Sequence, residues 1–201
     1  MSRHVQKVGA LFDEWAREGR AEGMERTHAR AARPAFERLG VGAGHRYLDV
    51  GCGNGYSVRW AVEAGAASAL GVDLSEEMIA RAREQSRGHA AASFLQAAFP
   101  GGGLPAGGFD RIFSMEAYYY LADLDAALEA TRALLAPGGR FACTIDHYLE
   151  NEESHGWSEE LGLSLHLLGA AEWSERFSRA GFEEIEQEAI AGSLLTLGRR
   201  P

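Results

Sequence analysis

Three alternate glycines stand in the segment Asp49-Val50-Gly51-Cys52-Gly53-Asn54-Gly55. The apolar residues before this segment predict a strand and the residues after it have helical spacing, so the glycines fall in the turn between them. A turn without Cβ atoms allows backbone N–H groups to approach a ligand closely. The spacing therefore predicts a small-molecule site at this turn.

An acidic residue follows at the end of the next predicted strand. Asp73 lies in Gly71-Val72-Asp73-Leu74, eighteen residues after Gly55. A carboxylate at this point of a strand–turn–helix–strand unit accepts hydrogen bonds from the hydroxyls of a ribose. The turn and the acid together predict a crevice that binds a nucleoside.

Two further residues bear on the kind of nucleoside. A dinucleotide-binding turn requires a glycine where this chain has Tyr56, and its helix terminus holds a pyrophosphate. Asp49, two residues before the first glycine, would repel a pyrophosphate but attract an ammonium group. The sequence therefore favours a nucleoside that carries an amino acid, and a nicotinamide-dependent oxidoreductase is the competing interpretation.

Strands and helices alternate around these residues. The hydrophobic pattern predicts five strands separated by helices, at 46–50, 68–72, 92–96, 109–114 and 140–145. The helix that starts near Leu124 is expected to end at Pro137-Gly138-Gly139. This alternation predicts parallel strands joined by right-handed crossovers, with ligands bound at the carboxyl ends of the strands.

The two ends of the chain have different patterns. Two amphipathic helices are predicted before the first strand, one ending near Gly19 and the next near Leu39. Residues 147–169 form a polar and aromatic stretch that is expected to be a lid or substrate loop. After one more helix, residues 182–189 and 194–199 are expected to pair as a hairpin.

These motifs, in this order, resemble those of the class I S-adenosylmethionine-dependent methyltransferases. The similarity covers about residues 45–146 and rests on four segments, Asp49 to Gly55, Asp73-Leu74, the strand from Phe109-Asp110 to Ser114-Met115-Glu116, and Leu135-Ala136-Pro137-Gly138-Gly139. The resemblance implies an α/β fold with a Rossmann-like, doubly wound, seven-stranded sheet, an antiparallel C-terminal hairpin and an N-terminal helical lid. It also implies S-adenosyl-L-methionine as the cofactor and S-adenosyl-L-homocysteine as its product.

The resemblance assigns roles by position. The three glycines would line the methionine part of the cofactor, Asp73 would bind the ribose, Leu74 would pack on the adenine, and Met115 would lie beneath the cofactor. The cofactor-binding residues that we expect are Asp49, Gly51, Cys52, Gly53, Gly55, Asp73, Leu74, Met78, Ala98, Phe99 and Met115. Ala98 is a departure, because many similar enzymes have there an acid that binds the adenine amine. Backbone groups and Phe99 would then bind the adenine, although Phe99 is equally suited to anchoring its loop.

Methyl transfer from a sulfonium is an in-line displacement, so the protein has to position an acceptor, remove its proton and exclude water. The residues that we consider first for catalysis are Glu116, Tyr118 and His147, followed by Tyr119, Tyr120, His28 and His155. We expect no metal, because no cluster of Cys, His or carboxylates has metal-binding spacing. Two other groups of residues are each open to two interpretations. The first belongs either to a lid or to a helix pair over a sheet edge, and contains Trp15, Arg20, Met24 and His28. The second either forms an acceptor pocket or anchors the long loop, and contains Asn151, His155 and Trp157.

Composition limits the remaining possibilities. The 201 residues carry a net charge of −9 and are 46% hydrophobic, which suits a single domain with a cap at 1–44, a cofactor-binding core at 45–146 and a substrate loop and hairpin at 147–201. The acidic balance argues against DNA binding, and no apolar stretch is long enough for a membrane span. Cys52 and Cys143 lack disulfide spacing, which favours the cytoplasm. We expect a small-molecule acceptor, with a protein or RNA acceptor or a non-catalytic cofactor-binding subunit as alternatives.

Overall fold

A seven-stranded sheet forms the centre of the computed structural model, which describes residues 2–201. The strands are β1 (Arg46–Val50), β2 (Ser68–Asp73), β3 (Ala92–Gln96), β4 (Phe109–Met115), β5 (Leu135–Ile145), β6 (Glu183–Ile190) and β7 (Ser193–Arg199). Their order is β3-β2-β1-β4-β5-β7-β6; β7 runs antiparallel to both β5 and β6, and the other neighbouring pairs are parallel. The predicted Rossmann-like sheet with an antiparallel C-terminal hairpin is confirmed.

Helices cover both faces of this sheet. They are α1 (Arg3–Arg17), α2 (Arg20–Leu39), α3 (Tyr56–Glu63), α4 (Glu76–Gln85), α5 (Leu124–Leu134), α6 (Trp157–Leu161) and α7 (Ala170–Arg179). One buried cluster joins the sheet to α2, α3 and α4, and another joins it to α1, α5 and α7. The predicted cap at 1–44 therefore contains two helices, and its first residue, Met1, lies outside the described residues.

The boundary between α5 and β5 differs from the prediction. The helix ends at Leu134, and the Pro-Gly-Gly segment expected to terminate it belongs to β5. Ala136 precedes Pro137, and a residue in that position disfavours helical backbone. The segment also pairs with the end of the chain, because Gly138 N–H donates to the carbonyl of Arg200 (2.9 Å) and Arg200 N–H donates to that of Gly139 (2.8 Å). A local sequence pattern cannot predict a contact between residues so far apart in the chain.

The predicted substrate loop is more ordered than its composition suggested. It contains a 3₁₀ turn at Glu152–Ser154 and helix α6, and it buries His147, Ser154 and Leu163. The hairpin that follows turns at Ala191 and Gly192, which both have positive φ (53° and 95°), as a two-residue turn between antiparallel strands requires.

No helix among residues 2–201 has the length and apolar character needed to cross a membrane. A cytoplasmic location stays a prediction.

Candidate cofactor and acceptor site

A cavity of about 370 Å³ lies at the carboxyl ends of β1, β2 and β4 and beneath α1 and α2. The residues predicted for cofactor binding or catalysis that line it are Gly51, Cys52, Gly53, Asp73, Leu74, Met78, Ala98, Phe99, Met115 and Glu116. The catalytic candidates His28 and Tyr120 also line it, and six predicted residues do not, namely Asp49, Gly55, Tyr118, Tyr119, His147 and His155. The structure thus brings most of the predicted residues to one place.

The three glycines of the turn all have positive φ, but they differ in what surrounds them. A Cβ atom built on Gly51 would lie 2.4 Å from the Cβ of Ala117, and one on Gly55 would lie 2.7 Å from the ring of Phe94. A Cβ on Gly53 would meet no atom within 4 Å. Packing of the protein itself therefore requires glycine at the first and last positions, whereas Gly53 presents bare backbone to the open cavity.

Asp73 is held in place by the same turn. Its Oδ2 accepts a hydrogen bond from Gly53 N–H (2.9 Å), and its Oδ1 accepts one from Ser75 N–H (2.9 Å). Burial raises the pKa of Asp73, while the backbone hydrogen bonds act to lower it. Each oxygen keeps a lone pair, so the carboxylate can still accept hydrogen bonds from two hydroxyls in the cavity.

Asp49 lies behind the turn rather than in the cavity. Its side chain is only 3% exposed and accepts a hydrogen bond from the hydroxyl of Ser57, which in turn accepts one from Tyr47 (2.9 Å). Burial raises the pKa of Asp49 to about 7. Any interaction of Asp49 with an ammonium group in the cavity would therefore act through the turn and not by contact.

The N-terminal helices line one side of the cavity. The carboxylate of Asp13 in α1 accepts hydrogen bonds from the Ser75 hydroxyl (2.5 Å) and from Glu77 N–H (3.2 Å), which fixes α1 to the start of α4. Met24 and His28 of α2 line the cavity. Trp15 and Arg20 do not; the guanidinium of Arg20 lies 4.1 Å above the ring of Trp15, where the two helices meet.

Glu116 follows β4 with a φ of 57°, which is unusual for a residue with a side chain. Its Oε2 accepts a hydrogen bond from the hydroxyl of Tyr119 (2.6 Å), and its Oε1 accepts one from Asp146 N–H. Burial raises the pKa of Glu116 well above its ordinary value, and the neighbouring carboxylate of Asp146 adds to this. The structure therefore presents at the cavity a fixed carboxylate that tends to hold a proton.

Tyr118 and His147, the other two residues considered first for catalysis, face elsewhere. Tyr118 is fully buried, and its hydroxyl pairs with that of Thr131 in α5. His147 is also fully buried, with Nδ1 3.0 Å from the carbonyl of Ser154 and its ring stacked on Trp157 at 5.7 Å. The structure gives both side chains contacts in the core and brings neither to the cavity.

The three residues proposed for an acceptor pocket in the long loop also have contacts within the protein. The ring of Trp157 packs on His147, which favours the interpretation as a loop anchor. His155 has its Nε2 3.0 Å from the carbonyl of Leu149 and is exposed. Asn151 donates a hydrogen bond to the carbonyl of Asp146 (2.7 Å) and so fixes the backbone beside Glu116.

Comparisons with known proteins agree with this geometry. A model of a family described as a methyltransferase domain matches residues 48–139. A solved complex of Haloferax volcanii joins the Trm112 methyltransferase activator to a protein assigned as a methyltransferase; that protein is 32% identical to this chain with a TM-score of 0.90, over 94% of this chain and 97% of its own. This chain belongs to the class I S-adenosylmethionine-dependent methyltransferase family.

Two other matches point the same way. An S-adenosylmethionine-dependent methyltransferase of Mesorhizobium loti is 25% identical with a TM-score of 0.72, over 85% of this chain and 98% of its own. Methyltransferase GfsG of Streptomyces halstedii is 34% identical over 53% of this chain and 40% of its own length. The chain spans less than half the length of the first curated relatives that it matches.

The cavity of this methyltransferase fits its family's cofactor. Gly53 leaves open the space that a Cβ would fill, and Asp73 keeps unused acceptor capacity beside it. Leu74 and Phe99 line the adjoining apolar part of the cavity, and Ala98 supplies no carboxylate there. Phe99 also packs against the main core cluster, so it lines the cavity and anchors its loop at once.

Several residues of the site escaped the sequence analysis. Asn54 lines the cavity and donates to Glu25 of α2 (2.7 Å), and Glu25 forms an ion pair with Arg59 (3.6 Å). Asp146 reaches the site from the end of β5. Two signals were available: Asp146 directly follows a predicted parallel strand, where ligands bind, and Glu25 precedes His28 by three residues and so shares its helix face.

Proposed function

We propose that this methyltransferase transfers a methyl group from S-adenosylmethionine to a small-molecule acceptor. The observation that supports it most is that Gly53, Asp73 and Glu116 all line one cavity, which α1 and α2 cover. A cavity partly covered in this way suits a small acceptor that fits beside the cofactor. A large surface acceptor such as RNA or protein would have to insert a single extended residue or base.

Each part of the cavity has a distinct task in this proposal. Asp73 accepts hydrogen bonds from the ribose hydroxyls, and the backbone at Gly53 lies against the amino-acid part. When bound, the cofactor supplies an electrophilic methyl group. Glu116 in its ionised form accepts the proton that the acceptor loses, and the raised pKa of its carboxyl makes it a stronger base for that task. Val8 and Phe12 of α1 line the cavity and help to exclude water from it.

Calorimetry tests the cofactor part of the proposal. Purified protein titrated with S-adenosylhomocysteine and, in parallel, with NAD should bind the first and not the second. Tyr56 occupies the start of α3 and lines the cavity, where a dinucleotide turn has glycine. Binding of NAD alone would contradict the assignment and restore the oxidoreductase interpretation.

A partner-dependent activity is the second candidate. The methyltransferase-like protein of Haloferax volcanii that matches over 94% of this chain was solved with the Trm112 activator. We therefore propose that an activator of that kind also binds this chain. Turnover measured with and without a co-expressed Trm112-like protein tests this: an increase in turnover supports it, and equal turnover without co-purification argues against it. A chain that binds the cofactor but turns over nothing in either case would be a non-catalytic subunit.

A further inference from the structure

Three proton-accepting side chains from three distant parts of the chain meet beside the cavity. His28 belongs to α2, Glu116 follows β4 and Asp146 follows β5. One nitrogen or oxygen atom of each lies within 4.8 Å of the others, and all three side chains are partly accessible. His28 and Glu116 line the cavity itself, so the cluster faces the space proposed for the acceptor.

The charge of this cluster is not balanced within the protein. No ion pair among residues 2–201 involves Glu116 or Asp146. Their hydrogen-bond donors are uncharged, namely the hydroxyls of Tyr119 and Ser193 and the N–H of Asp146. In the empty site Glu116 avoids the cost of a charge removed from water by tending to hold a proton, and a cation bound beside it would instead stabilise the ionised carboxylate.

His28, the third member of the cluster, adds a further hydrogen-bond acceptor to the two acidic side chains. Burial lowers the pKa of His28 although Asp146 opposes this, so its imidazole tends to be neutral and able to accept a hydrogen bond. An alkylammonium group carries three N–H donors around one positive charge. An imidazole and two carboxylates converging on one point complement such a group, whereas a hydroxyl acceptor needs a single base and no negative charge.

We propose that His28, Glu116 and Asp146 bind the protonated amino group of an amine, and that this methyltransferase is an N-methyltransferase of small amines. The inference rests on the proposed function, because it names the acceptor of the same cavity. Val5, Val8 and Phe12 of α1 line the same cavity, so they provide an apolar surface for the rest of the amine.

The chemistry balances with the groups present. The ammonium group gives one proton to the carboxylate of Glu116 and so gains a lone pair. The lone pair forms the new N–C bond while the C–S bond breaks, and the electrons of that bond go to sulfur, which becomes a neutral thioether. The methylated nitrogen carries the positive charge and leaves as an ammonium ion, and Glu116 returns its proton to water.

A charged and a neutral probe of the same shape test the proposal. Benzylammonium chloride and benzyl alcohol are titrated, at equal ionic strength, into protein saturated with S-adenosylhomocysteine, and binding is followed by ligand-observed NMR. The expected result is that the ammonium binds about tenfold more tightly than the alcohol, as charge-assisted hydrogen bonds predict. The preference should disappear in the double variant Glu116→Gln, Asp146→Asn and persist in Glu153→Gln, which removes an exposed carboxylate from the loop at 147–169.

Each outcome separates this proposal from the one on which it rests. Failure of the wild-type protein to bind S-adenosylhomocysteine contradicts the proposed function. Cofactor binding with equal affinity for the two probes, or a preference that survives the double variant, overturns the amine site. A titration with MnCl₂ is the remaining arm, and tight Mn²⁺ binding that displaces benzylammonium would show a metal site and overturn the proposal too.

Discussion

At Gly53 we expect glycine to be required by the ligand and not by the packing of the protein. Its φ is 51°, and a Cβ there would project into the empty part of the cavity. Gly107 has a φ of 65° and equally free surroundings, but it does not line the cavity. A residue with a Cβ would therefore have similar backbone strain at the two positions, but only at Gly53 would the Cβ lie beside the cavity.

Alanine at these two glycines should give different results. Gly53→Ala and Gly107→Ala should lower the free energy of unfolding by similar amounts, about 1 kcal/mol each. Only Gly53→Ala should abolish or strongly weaken the binding of S-adenosylhomocysteine in calorimetry. Equal cofactor affinity in the two variants would remove the turn from the site.

Asp73 should contribute to cofactor affinity through its free lone pairs. Asp73→Ala should weaken the binding of S-adenosylhomocysteine by about 1–3 kcal/mol, because the ribose hydroxyls lose their partner. Asp73→Asn keeps the shape of the side chain but supplies one carbonyl oxygen in place of two carboxylate oxygens, so a smaller loss is expected. Unchanged affinity in a folded Asp73→Ala protein would show that the ribose lies elsewhere.

Asp49 should make the stability of the protein depend on pH. Its pKa is about 7 in the folded protein, above the ordinary value of 3.8. As the pH rises from about 4 to 7, the unfolded chain loses this proton while the folded chain retains it, so rising pH favours unfolding. Asp49→Asn lacks this effect and keeps an acceptor for the Ser57 hydroxyl.

Urea unfolding at several pH values measures the difference. The stability of Asp49→Asn relative to the wild type should increase between pH 4 and pH 8, by up to about 4 kcal/mol. Asp110→Asn is the control, because Arg46 lowers the pKa of Asp110 to about 2; its contribution is lost only below about pH 4, so this variant's difference from the wild type should stay constant between pH 4 and pH 8. A pH-independent difference for Asp49→Asn would contradict the assigned cause.

Among the elements, α1 and α2 are attached to the molecule differently. The C-terminal half of α2 is part of the core, since Ala32, Ala35 and Leu39 are completely buried. Helix α1 is joined to α4 by a small apolar cluster that contains Ala16 and Met78 and by polar contacts, which include those of Asp13. Sequence patterns left open whether this helix pair is a lid or covers a sheet edge, and the buried second half of α2 favours the covering role for that part.

The contact of Asp13 with the start of α4 should therefore influence opening. Asp13→Ala should increase the cleavage of α1 by a protease several-fold and weaken cofactor binding by about 1 kcal/mol, because two hydrogen bonds that hold α1 over the cavity are lost. Glu14→Ala, which changes an exposed acid on the same helix, is the control. Equal cleavage in the two variants would show that Asp13 does not hold α1 in place.

Elements whose pattern is local were predicted best. Strands β1 and β3 have the predicted bounds, because short apolar runs between turn residues define them. The end of α5 was wrong, because the pairing of Gly138 and Gly139 with Arg200 decides it. The orientation of Tyr118 was equally inaccessible, since the 3₁₀ turn at Tyr118–Tyr120 directs neighbouring rings to different sides.

For the molecule as a whole, the glycine turn and Asp73 indicated the cofactor crevice, but the acceptor side was only partly visible. Glu116 was recognisable as a candidate from the family motif. Its partners Asp146 and His28 come from another strand end and from the cap, and only the folded sheet brings them together. The parts of the site that lie within one strand–turn–helix unit were predictable; Glu116 and His28 were named as separate candidates, but their meeting with each other and with Asp146 was not predictable.

Transfer of a labelled methyl group tests the central claim most directly. The purified protein is incubated with methyl-labelled S-adenosylmethionine and an extract of the source organism, and the products are separated by size, with Gly53→Ala as the inactive control. We expect label in molecules below about one kilodalton for the wild type and none for the variant. Label confined to protein or RNA, or equal labelling by the two proteins, would contradict the account.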